Sequence, residues 1–223
     1  MKIKLISILT ILLPGFLFAQ KTVKLANETD SISYALAVSI ATKMKAEGFN
    51  SLNTNAFSQA FNDVLKNNAL IIDASLANAI LNDYFTKKTN MTAQKNLEEG
   101  EKFLKENEKK EGVNTLESGL QYIVIKEGTG AVPQLTDQVK THYKGTLIDG
   151  TKFDSSYDRG EPITFPVTGV IKGWTEALLL MKEGAKWKLF IPANLAYGAR
   201  GAGGVIPPNA ALIFDIELLS IEK

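Results

Sequence analysis

The first half of the chain has apolar residues at the spacing of α-helices. Three helices are predicted, over residues 30–48, 55–67 and about 73–110. Asp30 or Ser31 is a typical N-cap for the first helix, and Gly48 is its expected stop. The apolar faces are Ile32, Leu36, Ile40 and Met44 in the first helix, and Phe57, Phe61, Val64 and Leu65 in the second.

Residues 95–111 are dense in Lys and Glu, and only Leu97, Phe103 and Leu104 are apolar there. A helix of this composition is expected to be mostly solvated. Two interpretations fit the pattern equally: a stalk between two bodies, or a charged surface helix.

After Gly112 the spacing of apolar residues changes from helical to alternating. In residues 138–147 one side carries Val139, Thr141 and Tyr143, and in residues 212–218 the even positions are apolar. Asp149-Gly150 marks a tight turn, and residues 174–184 read as a short helix. The pattern predicts an α+β protein, with an antiparallel sheet packed on a short helix and an all-α region before it.

Composition excludes several kinds of chemistry. The 223 residues contain no cysteine and one histidine, His142, and the formal net charge is +1. Thiol nucleophiles, disulfides and cysteine-based zinc sites are therefore impossible, and no charge excess indicates nucleic acid as a partner. We expect neither a metal nor a cofactor.

Residues 1–20 have the pattern of a secretory signal peptide: two early lysines, an apolar run and Ala19 near the expected cleavage site. The alternative is an uncleaved membrane anchor, but the run is short and contains Pro14-Gly15. We expect an exported protein, in the periplasm if the source is a Gram-negative bacterium.

The glycine-rich stretch AYGARGAGGVIPPNAALIFDIEL, residues 196–218, raises the alternative of a phosphate-binding loop. A dinucleotide site needs G-x-G-x-x-G before a helix, whereas Ile206 stands at the last position here and a strand follows. A P-loop needs Gly-Lys-Ser/Thr, which is absent. The glycines therefore indicate a loop that closely approaches another part of the surface.

Three motifs together, HYKGTLIDGTKFDSSYDRGEPITF, VIKGWTEAL and AYGARGAGGVIPPNAALIFDIELL, resemble the FKBP-type peptidyl-prolyl cis-trans isomerases over residues 113–223. With its signal peptide and helical region, the chain resembles the exported, macrophage infectivity potentiator-like subgroup. The domains expected are a signal peptide at 1–20, a helical domain for dimerisation or chaperone action at 21–112, and the isomerase domain at 113–223.

The resemblance implies a twisted antiparallel sheet wrapped on the short helix, with an apolar proline pocket between them. Tyr143, Asp154, Tyr197 and Phe214 would be the catalytic residues. The substrate-binding residues would be Phe153, Arg159, Phe165, Val170, Ile171, Trp174 and Ile206. Trp174 would lie under the proline ring, Tyr197 would donate to a substrate carbonyl, and the glycine loop would form a flap.

Three departures from the family pattern bear on drug affinity and substrate preference. Ile163 stands where many members have an aromatic residue, and Ala202 where some have histidine. The segment between Phe165 and Val170 is two residues shorter than in small cytosolic members. His142 alternates with Tyr143 and is expected to point away from the pocket.

The implied function is isomerisation of X-Pro bonds during the folding of exported proteins, through apolar stabilisation of the twisted amide. Implied partners are unfolded or partly folded proline-containing chains, macrolides such as rapamycin or tacrolimus, and a second copy of the chain, bound through the helical domain. One rival function is a chaperone that uses the pocket mainly for client binding, and another is an adaptor without turnover. A monomer with a helical cap also fits the periodicity.

Overall fold

The computed structural model describes residues 23–222, so the predicted signal peptide lies outside the described residues. The chain divides into two compact units, one up to residue 71 and the other from residue 72 onward. Within residues 23–222 no helix has the length and apolar character needed to cross a membrane. The predicted domain boundary at residue 112 stays a prediction.

The first unit contains helix α1, Glu28–Ala46, and helix α2, Thr54–Leu65. Asn27 caps α1 by accepting a hydrogen bond from the backbone N–H of Asp30. The predicted caps Asp30 and Ser31 are therefore wrong, because this asparagine begins the helix earlier. Gly48 follows the helix with a φ of +82°, as expected of a stop.

The second unit begins with the long helix α3, Ala74–Asn107. Asp73 caps it by accepting from the backbone N–H of Leu76. The helix ends before the predicted Lys110, whose N–H donates to the carbonyl of Asn107 in a turn. The helix bounds were thus predicted to within a few residues.

The rest of the unit is one antiparallel sheet with two short α-helices and three single-turn 3-10 helices. The strands are β1 Asn114–Thr115, β2 Gln121–Lys126, β3 Gln138–Leu147, β4 Lys152–Ser155, β5 Ile163–Pro166, β6 Lys186–Ile191 and β7 Leu212–Glu222. Their order is β1-β2-β6-β7-β3-β4, with β5 also paired to β3. The helices are α4, Ser156–Arg159, and α5, Lys172–Leu178. The expected α+β class is confirmed.

The core lies between one face of the sheet and α5. Along β7 the even positions from Leu212 to Leu218 are buried, and β3 alternates in the same way. Helix α5 lies close to the sheet because Gly173 has no side chain: a Cβ there would be 2.6 Å from Cγ2 of Ile191. This close approach brings the first turn of α5, with Trp174, against the strands.

One edge of α3 packs on the same unit, although the sequence indicated a mostly solvated helix. Gly100 and Asn107 are buried, and Phe103 lies 6.0 Å from Phe190 between ring centroids. The Asn107 side-chain amide donates to Gln121 Oε1 at 2.9 Å. The charge density concealed this contact because the packed edge uses glycine and asparagine as well as apolar residues.

We predict that Leu189→Ala destabilises this unit by about 2–5 kcal/mol, because Leu189 is fully buried and its truncation leaves a cavity. Denaturant unfolding followed by tryptophan fluorescence measures this, since both tryptophans, Trp174 and Trp187, belong to the unit. Leu135→Ala is the control, because Leu135 is exposed. Equal losses in both variants would contradict the assignment of the core.

Candidate functional site

A cavity of about 510 Å³ opens between α5, the sheet and the loop before β7. This volume lies in the range of small-molecule and peptide side-chain pockets. Its lining is mainly apolar and aromatic. The lining residues are Tyr143, Phe153, Asp154, Phe165, Gly169, Val170, Ile171, Trp174, Tyr197, Ala202, Gly203, Val205, Ile206 and Phe214.

Trp174 forms the base of the cavity through edge-to-face contacts with three rings. Its centroid lies 5.2 Å from that of Tyr143, 5.2 Å from that of Phe214 and 6.0 Å from that of Phe165, with interplanar angles above 80°. Edge-to-face pairs at such distances stabilise each other beyond the burial of their area. The indole is therefore held in one orientation, and only 4% of Trp174 is exposed.

Gly145 in β3 makes room for the aromatic wall. A Cβ at this position would lie 2.5 Å from Cε2 of Phe153 and 2.7 Å from Cε1 of Phe214. Those two rings contact each other edge-to-face with centroids 5.4 Å apart. The alternation of residues 138–147 puts Gly145 on the same side as Tyr143, but a missing side chain carries no chemical signal, so its role could not be predicted.

A cluster of three polar side chains forms one edge of the cavity. The Tyr143 hydroxyl donates to Asp154 Oδ2 at 2.5 Å, and Arg159 Nη2 donates to that hydroxyl at 2.7 Å. Arg159 Nη1 also pairs with Asp154 Oδ1. Helix α4 brings Arg159 back toward β4. The helix is held in place by its buried residue Ser156, whose hydroxyl accepts a hydrogen bond from the Tyr143 N–H at 2.8 Å.

These contacts set the charge of the cluster. Burial raises the pKa of the Asp154 carboxyl, but hydrogen bonds from Tyr143 and Arg159 outweigh it, so the pKa lies below its usual value. Burial, together with the Asp154 carboxylate, raises the pKa of Tyr143. Burial and the Asp154 charge raise the pKa of Tyr197 as well. At neutral pH the cavity therefore has one carboxylate, paired with Arg159, and two neutral phenols.

The glycine-rich loop, residues 198–209, borders the cavity, and we call it the flap. Ala202 and Ile206 exchange backbone hydrogen bonds of 2.8 and 2.9 Å across it. Gly201, Gly203 and Gly204 have positive φ angles, which this tight path requires. No helix begins at its end, since β7 follows, so it lacks the helix N-terminus of a dinucleotide site.

All the predicted pocket residues line the cavity except Arg159, which lies behind Asp154 and holds it. Their catalytic and binding roles stay predictions. Four further residues line the cavity: Ala202, Gly203 and Val205, which belong to the flap, and Gly169, which does not. Only the flap was expected from the sequence, and nothing in the sequence pointed to Gly169. His142 lies on the opposite face, where its ring stacks on Tyr157 with centroids 4.6 Å apart.

Known proteins resemble this chain in both sequence and fold. The model of the FKBP-type peptidyl-prolyl cis-trans isomerase family matches residues 130–219, and that of the domain amino-terminal to it matches residues 29–124. The outer membrane protein MIP of Legionella longbeachae is 39% identical over 100% of this chain and 99% of its own length. FkpA of Aeromonas hydrophila is 59% identical over 65% of this chain, but the match spans only 54% of that protein.

Among solved structures, the crystal structure of FkpA from Escherichia coli superposes with a TM-score of 0.70 at 35% sequence identity. It covers 89% of this chain and 99% of its own. Similarity at this level of identity and coverage extends through both the helical and the sheet-containing parts of the sequence.

We predict that Arg159→Leu raises the pKa of the Asp154 carboxyl, because it removes two donors and a positive charge from the cluster. A lowered folded-state pKa means that the carboxylate stabilises the fold at neutral pH. That contribution is lost as the pH falls through the folded-state value. An NMR titration of the carboxyl carbon measures the shift.

Lys152→Leu is the matched control, since Lys152 pairs with Asp158 instead. An unchanged Asp154 pKa in Arg159→Leu would contradict the arrangement of the cluster.

Proposed function

Since the chain belongs to the family of FKBP-type peptidyl-prolyl cis-trans isomerases and is an enzyme of that class, we propose that it catalyses X-Pro isomerisation through the cavity on Trp174. The supporting observation is the combination of an aromatic base and wall with a single polar edge. Proline-containing polypeptides are the substrates.

The proposed mechanism is apolar stabilisation of the twisted amide. Resonance in the C–N bond gives the reaction a barrier of about 20 kcal/mol. The planar amide is strongly dipolar, whereas the twisted transition state is less so, and a dry pocket therefore favours the twisted form. This is differential binding, and a million-fold acceleration would require roughly 8 kcal/mol of it.

We assign a substrate-positioning role to the two polar groups that face the cavity. Within the described residues the Tyr197 hydroxyl has no hydrogen-bond partner, and Tyr197 is 40% exposed, so it is available to a substrate carbonyl. Asp154 would lie beside the reacting amide, held by Tyr143 and Arg159. The rings of Phe153, Phe165 and Phe214 would form the wall around the proline.

We predict that Tyr197→Phe lowers kcat/KM for cis-to-trans isomerisation of a Leu-Pro tetrapeptide by roughly two- to tenfold, the effect of one hydrogen bond. Asp154→Ala should lower it by roughly tenfold or more, because it also removes the acceptor of the Tyr143 hydroxyl and the ionic partner of Arg159. Tyr157→Phe is the matched control: Tyr157 is as exposed as Tyr197 but bonds Glu217 away from the cavity.

A folded protein without turnover would support the adaptor function instead. Equal activities for the Tyr197 and Tyr157 variants would contradict the role of the Tyr197 hydroxyl. Competition by rapamycin or tacrolimus, which we propose as ligands of the same cavity, would locate inhibition there.

We also propose that the chain forms a homodimer through its first unit. Helix α1 buries none of its residues and α2 buries only Asp63, whereas Phe57, Phe61 and Val64 are exposed. Most of the exposed large hydrophobic side chains of the described chain lie before residue 92. Apolar faces of this extent on a soluble protein are typical of interaction surfaces.

Sedimentation at micromolar concentration should therefore show a dimer. Phe57→Glu with Phe61→Glu should give a monomer that retains tetrapeptide turnover, because these residues lie in the first unit and the cavity lies in the second. Ile125→Glu with Leu135→Glu, at exposed positions of the second unit, is the control. A monomeric parent protein would contradict the proposed dimer.

The same exposed apolar helices favour a second candidate function, binding of unfolded chains as a chaperone. A dimeric parent that suppresses aggregation of an unfolded protein even when the cavity is blocked would support it. We propose that both activities act on exported proteins, with residues 1–20 as the signal peptide and the periplasm as destination in a Gram-negative source.

A further inference from the structure

The end of the flap is attached to helix α3 by two side-chain amides. Asn96 Nδ2, on the helix, donates to the carbonyl of Pro208 at 2.8 Å. In return, Asn209 Nδ2 donates to the carbonyl of Ala93 at 3.4 Å. Both bonds are partly buried and join segments more than 110 residues apart in sequence. The pair crosses the gap between helix and flap in both directions, so each segment supplies one donor and one acceptor.

The backbone continues this attachment to the cavity. Asn209 has a φ of +55°, an unusual conformation that asparagine tolerates, and its N–H donates to the carbonyl of Gly198 at 2.8 Å. Gly198 directly follows Tyr197, whose side chain lines the cavity. Thus the two ends of the flap are joined to each other at the residue that α3 holds.

A second contact lies one helical turn along α3. Gly100 is buried, and a Cβ built on it would be 3.1 Å from the Cβ of Ala211, just after the flap. Asn96 and Gly100 are four residues apart and so share one face of the helix. The helix therefore contacts the flap and the start of β7 along a continuous edge.

We propose that Asn96 and Asn209 are positioning residues, through which α3 holds the flap in the conformation that presents Tyr197 and Ile206 to the substrate. Neither is among the residues that line the cavity. This inference rests on the proposed function of that cavity. A released flap must be ordered when the substrate binds, and this ordering opposes binding. The cost of ordering the flap weakens binding of the substrate and of the transition state by the same free energy. KM should therefore rise, whereas kcat should not change.

The test is Asn96→Leu in the full chain. Leucine has similar size and a better helix propensity than asparagine, so the helix keeps its stability while the donor is lost. We expect KM for the Leu-Pro tetrapeptide to rise roughly three- to tenfold, with kcat within about twofold of the parent. Asn90→Leu, the same change at an exposed position of α3, should leave both constants unchanged.

Amide hydrogen exchange of residues 198–209 provides a readout without substrate. Exchange should be faster in Asn96→Leu than in Asn90→Leu, whereas the core strands β6 and β7 should exchange as in the parent. A flap with unchanged protection would overturn the inference, and so would faster exchange with an unchanged KM. Absence of turnover in the parent protein would contradict the proposed function. The exchange measurement would still decide whether α3 holds the flap.

A cross-link separates attachment from any other effect of the substitution. Gly100→Cys with Ala211→Cys brings two Cβ atoms to 3.1 Å, closer than the distance of about 3.8 Å found in disulfides, so the bond forms after the two backbones separate by a few tenths of an ångström. The chain has no other cysteine. Added to Asn96→Leu, the oxidised pair should restore KM to within about twofold of the parent, and reduction should raise it again. Equal KM values in the oxidised and reduced forms would overturn the proposal.

Discussion

The pocket and the core of the sheet-containing unit depend on the packing of one indole. Trp174 meets Tyr143, Phe165 and Phe214 edge-on, and these rings come from β3, β5 and β7. Gly173 permits this contact, since any side chain there would meet Ile191 and keep α5 away from the sheet. The interaction that closes the core therefore also forms the base of the cavity. Changes at this base alter stability and substrate binding together.

The polar edge is built so that a carboxylate can remain ionised beside aromatic rings. An unpaired charge there would lose part of its hydration, although 41% of the Asp154 side chain is exposed. Here Asp154 is matched by the Arg159 guanidinium and the Tyr143 hydroxyl, and its pKa is lowered in spite of burial. In the proposed mechanism this pairing matters, because an isolated charge would favour the planar, more dipolar amide. The cluster fixes a hydrogen-bonding edge while limiting the field that the substrate experiences.

Sequence patterns predicted the parts of the fold in which one face is buried continuously. Strands β3 and β7 alternate because one side faces the core, and the alternation placed Tyr143 and Phe214 on the same side. The family motifs then indicated which of these residues surround the cavity. The start of α1 was predicted too late in the sequence, because Asn27 and Asp30 are both good caps and local sequence does not decide between them.

Other features could not be predicted because they depend on partners distant in sequence. In β6, Phe190 lies between the core residues Leu189 and Ile191, so strand alternation points it to the opposite face of the sheet. There it is buried against Phe103 of α3 rather than exposed to solvent. Gly145 matters because its missing side chain leaves room for the rings of Phe153 and Phe214. Asn96 has no distinguishing feature in a helix rich in polar residues until the structure shows Pro208 opposite it.

The composition of α3 also explains the form of its contact with the flap. A helix with so few apolar residues at this end cannot be held against the flap mainly by hydrophobic burial. It uses amide-to-carbonyl bonds and the close approach of Gly100 to Ala211 instead. Each such bond contributes only about 1 kcal/mol net. Contacts of this strength favour one flap conformation without fixing it, which suits a loop beside a site that must admit and release extended chains.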